Sequence, residues 1–129
     1  MKFGIIREGK TPPDERVPLA PEQCVEVIEK FPVKLQVQSS KVRRFKDEEY
    51  KNAGIEVVDD ISGNDVLFGV KEVPIKDLIA DKTYFFFSHT IKKQPYNRDL
   101  LRALLEKNIT MVDYETLTDK NGVRLIGFG

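Results

Sequence analysis

The stretch Val66–Phe87, with the sequence VLFGVKEVPIKDLIADKTYFFF, decides the fold class of this 129-residue chain. It contains two short apolar runs, Val66–Val70 and Tyr84–Phe87, in which hydrophobic and polar residues do not alternate. Runs of this kind are typical of strands that are covered on both faces, as in a parallel sheet. The segment between them, Pro74–Ile79, is expected to form a short helix or a turn. The stretch therefore predicts two buried strands of a parallel sheet.

The N-terminal half continues the alternation of strands and helices. The loop predicted over Glu8–Ala20 contains three prolines, and a loop of this kind can present side chains to a ligand. The helix that follows begins at Pro21 and carries one apolar stripe, which includes Cys24 and ends before Pro32. The other elements predicted here are strands over Lys2–Arg7, Val33–Val37 and Ile55–Val58, and a helix from Asp47 to a stop at Gly54.

The C-terminal part adds one more helix and two more strands. Four leucines at helical spacing predict a helix over Asn97–Asn108, with Asn97 as its N-cap. Strands are predicted over Ile109–Val112 and Val123–Phe128, with a turn at Asp119–Gly122. These repeats predict an α/β fold, Rossmann-like or flavodoxin-like: a doubly wound, mostly parallel sheet with helices on both faces in three α/β/α layers. Residues 1–129 are expected to form one domain.

Composition excludes several classes of protein. Hydrophobic residues make up 40% of the chain and charged residues 33%, which is typical of a folded globular domain. The 21 basic residues balance the 21 acidic residues, so no net positive field favours a nucleic-acid or membrane partner. With one cysteine, Cys24, and one histidine, His89, neither an internal disulfide nor a metal site is expected. The N-terminus predicts a strand and not a signal peptide, so the expected location is the cytoplasm.

Polar residues directly follow three of the predicted strands. They are Lys71-Glu72, Ser88-His89 and the segment from Asp113 to Glu115. Doubly wound sheets bind ligands beyond the carboxyl ends of their strands. Because these ends share one edge of a parallel sheet, we expect the three groups to meet in one crevice.

His89 and Lys71 are the candidates for acid–base chemistry. His89 follows a run of phenylalanines where its strand leaves the core, and histidine is the side chain best suited to proton transfer near neutral pH. The alternative is a histidine satisfied by a backbone carbonyl at the strand end. Lysines at such positions are sometimes tuned by desolvation or neighbouring cations, although most lysines are simply solvated. Two such residues at equivalent positions on separate strands favour a shared site.

Arg16 is the candidate for binding a carboxylate, because its planar guanidinium matches two oxygens; the alternative is an ion pair with a neighbouring acid. Glu72 and Glu115 are expected to be salt-bridge partners of a lysine rather than proton carriers. Cys24 is expected to be a small core residue and not a nucleophile. Four more basic residues either add positive charge to the same edge or belong to the solvated surface: Arg7, Lys10, Lys92 and Arg124.

The chain lacks a phosphate-binding motif. No glycine-rich fingerprint follows a predicted strand, and no Walker-type loop is present. The last residues, Gly127-Phe128-Gly129, break off within what looks like continuing sequence. We therefore expect the chain to be a piece of a longer protein.

Four blocks of sequence follow one another along almost the whole chain. They are Phe3–Glu8 with Glu15–Leu19, Gly69–Pro74, Phe87–Thr90 with Lys92 and Gln94, and Asp113–Glu115 with Asn121-Gly122 and Arg124–Gly129. In these blocks the chain resembles the N-terminal domain of the alanine dehydrogenase and saccharopine dehydrogenase superfamily. The pattern His89-x-x-Lys92-x-Gln94 is more similar to saccharopine dehydrogenase and lysine–ketoglutarate reductase, because alanine dehydrogenases tend to have Leu-Ala after the histidine.

The resemblance implies a division of labour among the candidate residues. It implies that Lys71 and His89 are the catalytic pair and that Arg16 helps to bind the substrate, and it puts Lys92, Glu115 and Arg124 near that site. In such enzymes an amine and a 2-oxo acid condense to an imine that takes a hydride from reduced NAD or NADP. The reverse reaction oxidises the secondary amine and hydrolyses the imine.

The resemblance also implies partners for this domain. The substrate would be an amino acid or 2-oxo acid, and NAD or NADP would be bound mainly by a second, Rossmann-type domain absent from this chain. The chain alone is therefore expected to be inactive, and a homo-oligomer stays open. The alternatives are an alanine dehydrogenase and a catalytically silent domain that binds an amino acid or a partner. The presence of both Lys71 and His89 favours an enzyme.

Overall fold

Strands and helices alternate within residues 1–87 and 95–126, which are the residues that the computed structural model describes. The strands described are β1 (Lys2–Ile5), β2 (Lys34–Gln38), β3 (Glu56–Val58), β4 (Val66–Lys71), β5 (Thr83–Phe87) and β6 (Thr110–Asp113). The α-helices described are α1 (Pro21–Lys30), α2 (Asp47–Asn52) and α3 (Pro95–Glu106), and single 3₁₀ turns span Ile75–Asp77 and Tyr114–Thr116.

The described strands are all parallel and form one sheet in the order β3-β2-β1-β4-β5-β6. The chain begins near the centre of the sheet and moves outward to β3. It then crosses back to β4, beside β1, and moves outward in the other direction. This reversal between β1 and β4 is the switch point at which doubly wound sheets bind ligands. The predicted Rossmann-like, doubly wound fold is confirmed.

Two hydrophobic clusters lie on opposite faces of the sheet. One contains Cys24 of α1 and Tyr50 of α2 together with Val37 of β2. The other contains Leu104 of α3 and Phe86 of β5. Burying a side chain of this size contributes roughly 1.5–3 kcal/mol to folding. Burial also raises the pKa of the Cys24 thiol to about 12, and the predicted role of Cys24 as a core residue is confirmed.

The two faces of β5 are covered unequally. Tyr84 and Phe86 are buried, whereas Phe85 and Phe87 on the opposite face are half-buried. The ring of Phe85 stacks on that of Phe68 with 4.9 Å between centroids. These two rings help to line an open apolar groove of about 800 Å³ beside α1. The two faces of β5 are therefore similar in hydrophobicity but differ in burial within the described part of the chain.

Two left-handed residues shape the amino edge of the sheet. Asp81, before β5, has φ 63° and Asn108, before β6, has φ 55°. The Nδ2 amide of Asn108 donates to Oδ1 of Asp81 over 2.9 Å, and the backbone N–H of Asp81 donates to the carbonyl of Lys107 over 3.0 Å. The turns that enter β5 and β6 are therefore bonded to each other.

Two local predictions are wrong. The helix predicted from Asn97 begins instead at Pro95, because a proline ring fits the first turn of a helix. Within the described residues, the strand predicted over Val123–Phe128 is absent, and only an isolated antiparallel bridge joins Thr118 to Arg124. The carboxylate of Asp119 accepts the backbone N–H groups of Asn121 and Val123, and this turn folds the chain back on itself.

Candidate functional site

At the carboxyl edge of the sheet, Lys71 lies close to the loop between β1 and α1, residues 6–20, which we call the β1 loop. Lys71 is the last residue of β4, and its partner in the ladder is Phe87, the last residue of β5. A pocket of about 440 Å³ is lined by Lys71 together with residues of the β1 loop, among them Lys10, Asp14 and Arg16. Lys71 and Arg16 therefore line the same pocket. His89 and Lys92, two and five residues beyond the end of β5, lie outside the described residues.

Lys71 is half-buried and lines this pocket. Among the described residues, the Lys71 side chain makes no hydrogen bond or ion pair. The pKa of Asp14 is lowered chiefly by a hydrogen bond from Arg16 and in smaller part by the charge of Lys71. The Lys71 charge therefore acts on this carboxylate without a direct bond to it.

Arg16 is oriented by Asp14. Its Nε and Nη2 atoms donate to Oδ1 and Oδ2 of Asp14 over 3.0 and 2.7 Å, and its backbone N–H donates to Oδ1 over 3.0 Å. This is the ion pair that the sequence left open as an alternative. The Arg16 side chain still has 37% of its surface exposed. A carboxylate entering the pocket would meet a guanidinium that is already fixed in direction.

Glu8 is a residue of this site that the sequence interpretation missed. Its carboxylate accepts the backbone N–H groups of Val70 and Lys71 over 3.1 and 2.7 Å. Desolvation by burial raises the pKa of Glu8 from 4.5 to about 7, against the lowering effect of these two hydrogen bonds. In a doubly wound sheet, polar residues that follow a strand face the ligand. Applying this rule to β1 would have identified Glu8.

Glu72 pairs with Lys10 rather than with Lys71. The expectation that Glu72 holds a lysine in place is therefore met by a lysine of the β1 loop. Within the described residues, the second carboxylate oxygen of Glu72, Oε2, is buried without a hydrogen-bond partner. This ion pair ties the tip of the β1 loop to the residue after β4.

Glu115 and Arg124 lie next to each other beyond β6. Nη2 of Arg124 is 3.7 Å from Oε2 of Glu115, so Arg124 is an ionic partner of Glu115 within the described part of the chain. The side chain of Glu115 is buried, and its backbone N–H donates to the carboxylate of Asp113 over 2.9 Å. The neighbouring Tyr114 ring packs edge-on against Phe87 at 5.0 Å, which joins this turn to the end of β5.

A second charged cluster lies at the same edge, beyond β2, and we call Arg43, Asp47 and Tyr50 the Arg43 cluster. Arg43 donates to the carbonyls of Gln38 and Phe45 over 2.5 and 2.7 Å. Its Nη2 pairs with Asp47, and its guanidinium lies 4.7 Å above the ring of Tyr50. Only 4% of the Arg43 side chain is exposed. Every face of this cation is occupied by the protein, so the cluster is structural.

The N-termini of α1 and α2 do not fit the pyrophosphate of a dinucleotide. Such a group is bound by backbone N–H groups at the N-terminus of a helix that follows a glycine-rich turn. The segment before α1 is rich in prolines and contains the acidic pair Asp14-Glu15. The first turn of α2 consists of three acidic residues, Asp47, Glu48 and Glu49, which would repel phosphate.

Residues 1–87 and 95–126 contain no group of three or more histidine, cysteine or acidic side chains arranged to hold a metal ion. None of the helices there is long and apolar enough to cross a membrane.

Known proteins with similar sequences include an alpha-aminoadipic semialdehyde synthase and a saccharopine dehydrogenase. The chain is 40% identical over 127 residues to the mitochondrial alpha-aminoadipic semialdehyde synthase of Mus musculus, covering 98% of this chain and 14% of that protein. It is 32% identical over 138 residues to the saccharopine dehydrogenase (NAD+, L-lysine-forming) of Candida glabrata, covering 100% of this chain and 36% of that protein. The chain therefore spans less than two fifths of the length of these relatives.

Similar solved structures confirm the fold. An L-alanine dehydrogenase superposes with a TM-score of 0.75 at 22% identity, covering 94% of this chain and 34% of that one. A transhydrogenase from Sinorhizobium meliloti gives a TM-score of 0.71 at 19% identity, covering 92% and 36%. Because the animal relative is mitochondrial by name, the cytoplasmic location stays a prediction. The family described as alanine dehydrogenase/PNT, N-terminal domain, matches residues 4–129, and the chain belongs to this family.

Proposed function

We propose that this chain is the substrate-side domain of an NAD(P)-dependent amino-acid dehydrogenase of the saccharopine type. One observation carries the proposal: Lys71 and Arg16 line the same pocket at the switch point of the sheet. The guanidinium of Arg16 is held in a fixed direction, and the side chain of Lys71 makes no hydrogen bond or ion pair within the described chain. Together these two cations suit a substrate that has a carboxylate and a reacting nitrogen.

Each residue has a separate task in this proposal. Arg16, held by Asp14, binds a substrate carboxylate. Lys71 transfers a proton to or from the substrate nitrogen or water, and His89, which follows β5, is its expected partner in proton transfer. Glu115, Arg124 and Lys92 help to bind the substrate.

A second domain is required for hydride transfer. Because residues before α1 and α2 do not suit a pyrophosphate, we assign NAD or NADP to a Rossmann-type domain in a longer polypeptide. The small share of the relatives' length that this chain covers supports this division. The protein would work in the cytoplasm with small-molecule substrates, without nucleic acid or membrane, and its oligomeric state is open.

The test is steady-state kinetics on the full-length protein with two pairs of substrates. We expect kcat/KM for lysine with 2-oxoglutarate, or for saccharopine in reverse, to exceed that for alanine and pyruvate by roughly 10-fold or more. A preference for alanine would transfer the assignment to alanine dehydrogenase. If the protein binds amino acids but turns over neither pair of substrates with either nicotinamide, the catalytically silent domain is favoured.

A further inference from the structure

Glu8 contacts the end of β4, although it has no task in the function proposed above. Its two carboxylate oxygens accept the N–H groups of Val70 and Lys71. These residues are consecutive, and consecutive N–H groups of a regular strand point to opposite sides. Since both donate to one carboxylate, the strand is irregular at this point.

The pairing between β4 and β5 identifies the irregularity. Phe68 pairs with Phe85, and Lys71 pairs with Phe87, so that three steps along β4 match two steps along β5. The extra residue is a β-bulge on β4. Bulges turn neighbouring N–H groups the same way and re-aim the side chain that follows, and they are frequent beside active sites. The side chain that follows this bulge is Lys71.

Where β1 ends, the side chain of Glu8 takes over from the β1 backbone as the hydrogen-bond partner of β4. The last residues of β1 bring the N–H of Ile6 to the carbonyl of Phe68 over 2.9 Å. Beyond this bond, the acceptor facing β4 is the Glu8 side chain. A carboxylate offers two oxygens in a fixed geometry, and these match the two converging donors of the bulge.

Gly69 permits this close approach. A Cβ atom at this position would lie 2.8 Å from Cδ1 of Ile6 and 3.3 Å from Oε2 of Glu8. A side chain there would push Ile6 or Glu8 away from β4. Glycine at the centre of the bulge therefore lets Ile6 and Glu8 keep these positions.

We propose that Glu8 is a positioning residue for Lys71. Its carboxylate fixes the bulge of β4, and the bulge fixes the direction in which the Lys71 side chain leaves the strand. The proposal rests on the proton-transfer task given to Lys71 in the proposed function.

The charged surroundings of Glu8 make its effect depend on pH. It faces Lys71 from β4, Asp14 and Arg16 from its own loop, and Tyr114 beyond β6. With its pKa raised to about 7, Glu8 is a carboxylate with two acceptors above neutrality. Below neutrality the proton occupies one oxygen and weakens one of the two hydrogen bonds. Glu8→Gln, with one amide oxygen, resembles the protonated form at every pH.

The first test measures kinetics of the full-length protein as a function of pH. The ratio of wild-type to Glu8→Gln kcat/KM should be about 10 near pH 8.5 and fall to about 2 near pH 5.5. Glu8→Ala should lower kcat roughly 10²-fold and change KM by less than about 3-fold, because Arg16 keeps its partner. A ratio that does not vary with pH would overturn the proposal. Glu26→Gln, an exposed carboxylate on α1, is the matched control.

The second test does not need turnover. Amide hydrogen exchange in residues 67–73 of the full-length protein should be faster in Glu8→Ala than in the wild type and unchanged in Glu26→Gln. Equal exchange in wild type and Glu8→Ala would overturn the role of Glu8, whatever the activity. A wild-type protein that is inactive on every substrate, yet shows faster exchange in Glu8→Ala, would overturn the proposed function instead.

Discussion

The Arg43 cluster and the residues around Lys71 lie at the same edge of one sheet, and they differ in how completely their charges are paired. Arg43 donates to two backbone carbonyls and to Asp47, and it covers an aromatic ring. Lys71 has no hydrogen bond or ion pair among residues 1–87 and 95–126, and Arg16 keeps an exposed part beside it. One group of charges is closed, and the other is open to a ligand.

This difference shows how to distinguish structural charges from functional ones. Desolvating a cation costs several kcal/mol unless the protein replaces the lost water with acceptors. The Arg43 cluster provides these acceptors itself, so a ligand would gain nothing there. At Lys71 the described residues provide no such acceptor, and a ligand with a carboxylate or a reacting nitrogen can supply one. Burial alone does not mark a site, since Arg43 is more buried than Lys71.

The largest effect expected from this comparison concerns stability. Arg43→Met should lower the free energy of unfolding by about 4 kcal/mol, because it removes the cation paired with Asp47 and leaves two backbone carbonyls without their donor. Urea denaturation of the full-length protein would measure this change. Turnover by the folded fraction should stay within about 2-fold of the wild type. A fall in kcat without a loss of stability would mean that the Arg43 cluster belongs to the site.

Lys71→Met should have the opposite profile. In the full-length protein we expect kcat and kcat/KM to fall together by roughly 10²-fold or more, since a proton carrier acts mainly in the transition state. His89→Gln should behave in the same way. The midpoint of urea denaturation should stay near the wild-type value, because no bond of the described chain is lost with the Lys71 ammonium. An unchanged kcat would contradict the role given to Lys71.

Arg16→Ala should produce the smallest of these effects. We expect KM to rise about 10-fold while kcat changes by less than about 3-fold, because a carboxylate contact exists already in the bound ground state. Arg16→Lys should fall in between, since an ammonium lacks the two-point fork. The measurement is initial rates over a range of substrate concentrations. A loss confined to kcat would place Arg16 in the chemistry rather than in binding.

The fold could be predicted from the sequence because its strands are marked by short apolar runs. Val66–Val70 and Tyr84–Phe87 fall within β4 and β5, and Gly54, with φ 84°, follows α2 as predicted. The strand expected at Val123–Phe128 could not be excluded from composition. Four of its six residues are apolar, and the capture of backbone N–H groups by Asp119 depends on folding of the turn before it.

The site was predictable only in outline. The residues after each strand were expected to meet, and Lys71 and Arg16 do line one pocket. Glu8 opens a proline-rich segment that predicts a loop, so its sequence position did not mark it as part of the site. Its contact with Lys71 joins residues far apart in the chain. The ion pairs could not be predicted either, because Lys10 and Glu72 form one although they are far apart in the sequence. The roles of His89 and Lys92 stay predictions.

The bond between Asp81 and Asn108 has a consequence for how sequences of this fold can vary. Both residues adopt a left-handed conformation, which costs most L-residues about 1–2 kcal/mol and costs glycine, asparagine and aspartate least. At the amino edge the permitted residues are therefore limited by backbone shape. At the pocket beside Lys71, the side chains that only contact the substrate can be exchanged. A library aimed at a new substrate should randomise those positions and keep Asp81, Asn108 and the Arg43 cluster for folding, and Lys71 and Glu8 for the chemistry.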